Sequence, residues 1–231
     1  MRRYATLDDV HRAVVACTAC PRLRDHCRQI ARVGKREFRD WTYWARPVPG
    51  FGDPTARLHI VGLAPAAHGA NRTGRMFTGD SSGNWLYDAL HRWGFASQAV
   101  SETRDDGLRL RDCYISAAAR CAPPANRPTL EELHRCQRFL EAELQLLRRA
   151  RITLVLGHVA HRQWLEAAGW WTGRPAAARP HFAHGQLHRL PGNHTLLCSY
   201  HPSRQNTNTG RLTWRMWDAV FRAARREVDG A

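Results

Sequence analysis

Leu58-His59-Ile60-Val61-Gly62-Leu63 is the stretch whose reading decides the fold. It is mostly apolar, partly β-branched and too short for a buried helix, so it reads as a strand covered on both faces. Three more runs share its character, at residues 113–118 (CYISAA), 152–156 (ITLVL) and 195–200 (TLLCSY). Helical patterns alternate with them near residues 7–16, 84–93, 129–150, 158–168 and 212–226. The longest opens on Thr129-Leu130-Glu131-Glu132, just after Pro128, which is a capping-box start. Strand and helix in alternation predict an α/β fold, a mainly parallel sheet with helices on both faces. With 231 residues, 43% of them hydrophobic, and neither an internal repeat nor a low-complexity linker, residues 1–231 read as one domain.

Sheets of this kind bind ligands beyond the carboxyl ends of their strands. Three segments there are rich in Gly, Pro and small polar residues and too long for simple connectors: residues 62–83, 120–128 and 201–210. A parallel sheet brings them to one edge, where Asp80, Asn126 and His201 would line a cleft.

Charge narrows the partner. Lys and Arg number 35 against 20 Asp and Glu, a formal net charge of +15. Such an excess repels itself in a compact fold, so a polyanion, DNA or RNA, is the economical explanation. An Arg-rich composition that uses Arg wherever Lys would serve is the bland one. No apolar run reaches membrane-spanning length, and the start Met1-Arg2-Arg3-Tyr4 lacks the apolar stretch of a signal peptide. The expectation is a cytoplasmic, nucleoid-associated monomer that meets no membrane.

Seven cysteines, an odd number, in such a chain argue against disulfides. Cys17 and Cys20 form a C-x-x-C pair at the end of the first helix, Cys121 follows the second strand, and Cys136 lies in the long helix. Four thiolates so arranged can enclose a [4Fe–4S] cluster or a tetrahedral zinc, and spacing alone does not choose between them. Cys113 and Cys198, in strand-like runs, read as small apolar residues, and Cys27 is left outside the site with them.

Ordered motifs then carry a resemblance. They run from Cys17-x-x-Cys20 through Trp44-Ala45-Arg46-Pro47-Val48-Pro49-Gly50-Phe51-Gly52-Asp53 and Gly62-Leu63-Ala64-Pro65-Ala66. They continue with Asn71-Arg72-Thr73-Gly74-Arg75-Met76-Phe77-Thr78-Gly79-Asp80 and Arg120-Cys121-Ala122-Pro123-Pro124-Ala125-Asn126, and close on His201-Pro202-Ser203. Over nearly its whole length the chain resembles the family 5 uracil-DNA glycosylases, the b-type enzymes related to the iron–sulfur family 4. The resemblance implies a three-layer αβα sandwich and a [4Fe–4S] cluster on Cys17, Cys20, Cys121 and Cys136. It also implies a monofunctional glycosylase that excises uracil from double-stranded DNA, with single-stranded DNA as a further substrate. Two departures from the wider superfamily stand out, both typical of family 5. The Leu63–Ala66 stretch carries no polar side chain to position a water, and Ala117 stands where family 4 has an uracil-reading Asn.

N-glycosidic hydrolysis needs a flipped base, charge stabilisation and a water on the far face of the sugar. Phe77 is the stacking candidate, beside an apolar base-binding wall of Ala64 and Ala66. His201 can donate to the carbonyl oxygen that gains negative charge. Asn126 offers both donor and acceptor to a base edge. Asp80 either caps a helix or supports the water and the cationic sugar. Arg75, Arg204, Ser81 and Ser203 would hold phosphates, and Gln205, Asn206, Asn208 and Arg211 could enter the gap left by the flipped nucleotide. Trp41 and Trp44 read as packing residues near the cysteines. The apolar wall and Ala117 predict that hypoxanthine and xanthine are excised besides uracil. Competing readings are a non-catalytic zinc- or cluster-bearing nucleic-acid-binding module and a mismatch-specific thymine-DNA glycosylase.

Overall fold

The computed structural model describes residues 4–230, so the reading of Met1-Arg2-Arg3 lies outside the described residues. In chain order the regular elements are α1 (Leu7–Val15), α2 (Pro21–Val33), β1 (Phe51–Gly52), β2 (Leu58–Gly62), α3 (Ala70–Thr73), α4 (Ser81–Arg92) and β3 (Cys113–Ala117). There follow α5 (Leu130–Leu146), β4 (Ile152–Leu156), α6 (His158–Ala167), β5 (Leu187–Leu190), β6 (His194–Ser199), α7 (Arg204–Asn208) and α8 (Trp214–Asp229). The six strands form one sheet in the order β1-β3-β2-β4-β6-β5. Its four central strands are parallel, and β1 and β5 close the two edges antiparallel. Among the described residues no helix is long and apolar enough to cross a membrane.

The alternation of side chains along the central strands builds a core on each face. Leu58, Ile60, Leu154, Leu156 and Leu197 point to one side, where α4 and α8 bring Leu86, Leu90, Trp217 and Phe221. Val61, Val155, Leu196 and Cys198 point to the other and meet Ala160, Trp164 and Leu165 of α6 and Leu140 of α5. Because both faces are covered, the central strands are mostly apolar rather than alternating, with His59, Ser116 and Thr153 among the buried polar exceptions. This is the αβα sandwich expected.

Helix ends follow their caps. The fourth helix starts at Ser81 rather than at residue 84, because the Asp80 side chain accepts from the Gly83 N–H. The fifth carries the complete capping box of Thr129 and Glu132 but stops at Leu146, short of residue 150, where Leu147 leaves helical geometry. Two antiparallel edge strands and α2 were not expected. Strand β1 has two residues, and β5 is at most half-buried and pairs on one side only. Only Leu23 and Cys27 are buried in α2, too few for a readable stripe, although Cys20 as N-cap and Pro21 at the first position fix its start.

Candidate active site

Where β2, β3, β4 and β6 end, backbone bonds carry the pairing on into the loops. The Ala118 N–H donates to Gly62 O at 3.0 Å, Ala119 to Leu63 O at 2.9 Å and Gly157 to Ser199 O at 2.8 Å. A cavity of about 670 Å³ opens at this edge, with Ala64, Ala66, Phe77, Asp80, Asn126 and His201 among its lining residues. The sequence placed these six in one site, and the fold brings them together.

The Phe77 ring stacks on His201 with centroids 5.8 Å apart and planes at 28°. Phe77 holds a left-handed φ of 54°, an unusual setting for an aromatic residue. Two glycines make room for it. A Cβ on Gly62 would come within 2.8 Å of the Phe77 ring, and one on Gly83 within 1.7 Å of the Phe77 carbonyl oxygen. Burial lowers the His201 pKa to about 4, so its imidazole is neutral at pH 7 and has one N–H to donate. Asn206 Nδ2 donates to the His201 carbonyl at 2.8 Å and fixes the turn beneath the ring.

Asp80 has two faces. One carboxylate oxygen accepts the Gly83 N–H at 2.9 Å as the helix cap. The other lies against Gly69, where a Cβ would come within 2.1 Å of it. Burial raises the Asp80 pKa, against the Gly83 and Ser82 amides and the cations Arg204 and Arg72, which lower it. Asn126 sits at the exposed rim, on a turn where Ala125 and Asn126 both take left-handed φ, 52° and 57°.

The residues expected at phosphates divide. Ser203 caps α7, and Arg204 Nε donates to Ser81 Oγ at 3.2 Å, tying two loops across the mouth. Gln205 lines the cavity, Asn208 is exposed, and the Arg211 guanidinium lies 4.7 Å from the Tyr200 ring centroid. Asn206 is turned inward by its bond to His201. Arg75 is a correction: it is 4% exposed, pairs with Asp106 at 2.6 Å and donates to Ser101 and Thr78, so it braces the loop rather than facing a phosphate. Ala117 is another, being a core residue outside the cavity lining. Trp41 is 38% exposed over Arg72, with the guanidinium 4.0 Å from its ring, and Trp44 packs on Gly74.

A family model described as the uracil DNA glycosylase superfamily matches residues 49–225, the span that holds every residue of this cleft. The chain belongs to that superfamily. A type-5 uracil-DNA glycosylase of Thermus thermophilus is 52% identical over 92% of this chain and 94% of its own. One of Pyrobaculum aerophilum is 44% identical over 94% and 91%. A type-4 uracil-DNA glycosylase of Pyrobaculum aerophilum is 30% identical over 70% and 74%. The likeness is to the type-5 branch over nearly the full chain.

In this superfamily member, sequence reasoning missed Gly157 and His158, which line the cleft at the start of α6. The signal was available, since they follow a strand end at the same sheet edge. Five of the cysteines fall in two apolar clusters. Cys20, Leu23, Cys27, Cys121 and Ala122 form one buried cluster, and Cys17 packs against the neighbouring one around Cys136. Burial pushes the Cys136 thiol up to about 11, with Cys17 and Cys20 adding to the rise. Cys113 and Cys198 are buried strand residues as expected. Cys27 is not apart from the group: it is fully buried beside Cys121 and donates to Ala122 O at 3.7 Å.

Proposed function

We propose that this protein is a monofunctional DNA glycosylase that hydrolyses the N-glycosidic bond of uracil in DNA and leaves an abasic site, the opening step of base excision repair. The observation that carries this reading is the Phe77–His201 stack in a cleft shared with Asp80 and Asn126. A flipped uracil enters along the apolar Ala64–Ala66 wall and lies on Phe77. Asn126 reads its amide-like edge from the rim. As the bond breaks, the neutral His201 donates to the base carbonyl, stabilising the growing negative charge without transferring a proton. Asp80 faces the sugar, where its carboxylate supports the positive character and the incoming water. The Leu63–Ala66 stretch offers no side chain to activate that water, so bond breaking leads and water attack follows.

The same wall carries no polar group matched to one pyrimidine, so hypoxanthine and xanthine, which present a carbonyl beside a ring N–H, are substrates too. That reading rests on the wall alone, since Ala117 is in the core. Arg204, Ser81, Ser203 and Gln205 hold the strand at the mouth. The protein acts as a monomer on nucleoid DNA.

The cysteine site suits a [4Fe–4S] cluster on Cys17, Cys20, Cys121 and Cys136. Its donors are all sulfur, and the Arg24 Nη1 beside it is buried with no hydrogen-bond partner among the described residues, which asks for an anion. Among those residues no three His, Cys, Asp or Glu side chains stand close enough to hold one ion. A cubane, wider than a single ion, takes thiolates set further apart. Bound there, the cluster supplies metal–thiolate links that join the α1–α2 turn, the loop after β3 and α5.

The test is a duplex carrying one uracil, incubated with the protein and then with alkali. Strand cleavage after alkali alone supports a monofunctional glycosylase, and binding without cleavage supports the non-catalytic module. Repeating it with hypoxanthine, xanthine and thymine against matched and mismatched partners measures the base range.

A further inference from the structure

Along α2 and its N-cap, Cys20, Arg24 and Cys27 stand at i, i+4 and i+7, which is one face of a helix. Cys20 and Cys27 both enter the buried cluster with Cys121, so Arg24 between them is turned the same way. Its Nη2 donates to Ala45 O at 2.9 Å, and its buried Nη1 has no partner among the described residues. Arg138 of α5 donates to Cys17 Sγ at 3.4 Å.

The other arginines nearby are paired with carboxylates. Arg22 pairs with Glu132 at 2.7 Å, Arg120 with Glu143 and Arg135 with Glu131. Arg24 and Arg138 make no ion pair among the described residues. A guanidinium cannot shed its proton, so a buried one needs an anion or a full set of acceptors. At the sulfur site the anion must come from what the cysteines hold.

We propose that Arg24 and Arg138 are the counter-ions of the cysteine-held cluster and set both its retention and its reduction potential. This rests on the cluster reading above. A [4Fe–4S]2+ core with four thiolates is a dianion, and one-electron reduction adds a further negative charge. A cation alongside stabilises the reduced form more than the oxidised one and so raises the potential. Arg24, half-buried with its Nη1 shielded from water, acts more strongly than the exposed Arg138, whose effect salt screens. Both act through the cluster and are positioning residues.

The experiment uses full-length protein purified without oxygen. Iron and acid-labile sulfide in the wild type test the cluster reading by themselves; if both are absent, that reading and this one fall together. With the cluster present, Arg24→Gln, Arg24→Lys and Arg138→Gln are compared in two ways: decay of the visible absorbance under a chelator, and midpoint potential by spectroelectrochemistry. Arg24→Gln should lose the chromophore several-fold faster and have a more negative potential, with Lys recovering much of both. Arg138→Gln should move both the same way by less, and the difference should vanish at high salt. Melting temperature separates these effects from the lost bond to Ala45. A wild-type cluster whose retention and potential are unchanged in Arg24→Gln and Arg138→Gln overturns the proposal. Should Arg24→Gln not fold, Arg24→Lys and Arg138→Gln decide on the same readouts.

Discussion

Phe77 and His201 come from loops more than a hundred residues apart, yet their rings stack at 5.8 Å. Gly62, the last residue of β2, sets that contact from below, because a Cβ there would press within 2.8 Å of the Phe77 ring. Gly62→Ala should therefore displace the ring from His201 while leaving the sheet paired. Uracil excision under single turnover should fall by up to about 100-fold, the scale of an ångström-sized misplacement. Phe77→Ala should fall at least as far. An unchanged rate in Gly62→Ala would show that the ring need not stay on His201.

Acid should weaken the fold before it protonates His201. Burial lowers His59 to about 3, and His161, His194 and His201 to about 4, from an ordinary value of 6.5. The unfolded chain takes up these protons near 6.5, whereas the folded chain refuses them until pH 3–4. Stability is therefore complete above pH 6.5 and declines as pH falls towards 4, by up to about 1.4 kcal/mol per pH unit for each such group. His201 of the folded protein stays neutral from pH 8 to about 5, so a fall in its excision rate over that range should come from Asp80, whose pKa burial raises, and be absent from Asp80→Asn. Denaturation midpoints and single-turnover rates across that range check both halves.

Asp80 separates cap from charge by substitution. Asparagine caps a helix as well as aspartate but carries no charge. Asp80→Asn should keep the melting temperature and lower excision by about 100-fold. Asp80→Ala should lower excision and also cost about 1 kcal/mol of stability, or roughly 2–4 °C. Full activity in Asp80→Asn would leave only the cap.

Arg75 and Arg204 should part company in the same two assays. Breaking the buried Arg75–Asp106 pair in Arg75→Ala should cost about 3–5 kcal/mol of stability, with DNA affinity of the folded fraction retained. Arg204→Ala should melt normally, bind every DNA sequence more weakly, and reduce the salt slope by about one.

The legible parts of the molecule were those with strong local chemistry. Buried parallel strands announce themselves as apolar runs, and the cleft follows from where such strands end. Strand β5 and helix α2 were not legible because a half-buried edge and a two-residue apolar face leave almost no pattern. Arg75 looked like a phosphate ligand because its partner Asp106 lies 31 positions away, beyond any local motif. Cys27 was set aside for a similar reason: only the packing of α2 against the segment after β3 brings it beside Cys121.

The most direct test of the account is single-turnover uracil excision by His201→Ala, with DNA binding measured alongside. The neutral, half-buried imidazole is the donor assigned to the charge on the departing base, and removing such a donor costs about 100–1,000-fold in rate. A loss on that scale is expected, with affinity for uracil-containing duplex nearly intact. Excision at the wild-type rate by His201→Ala would contradict it.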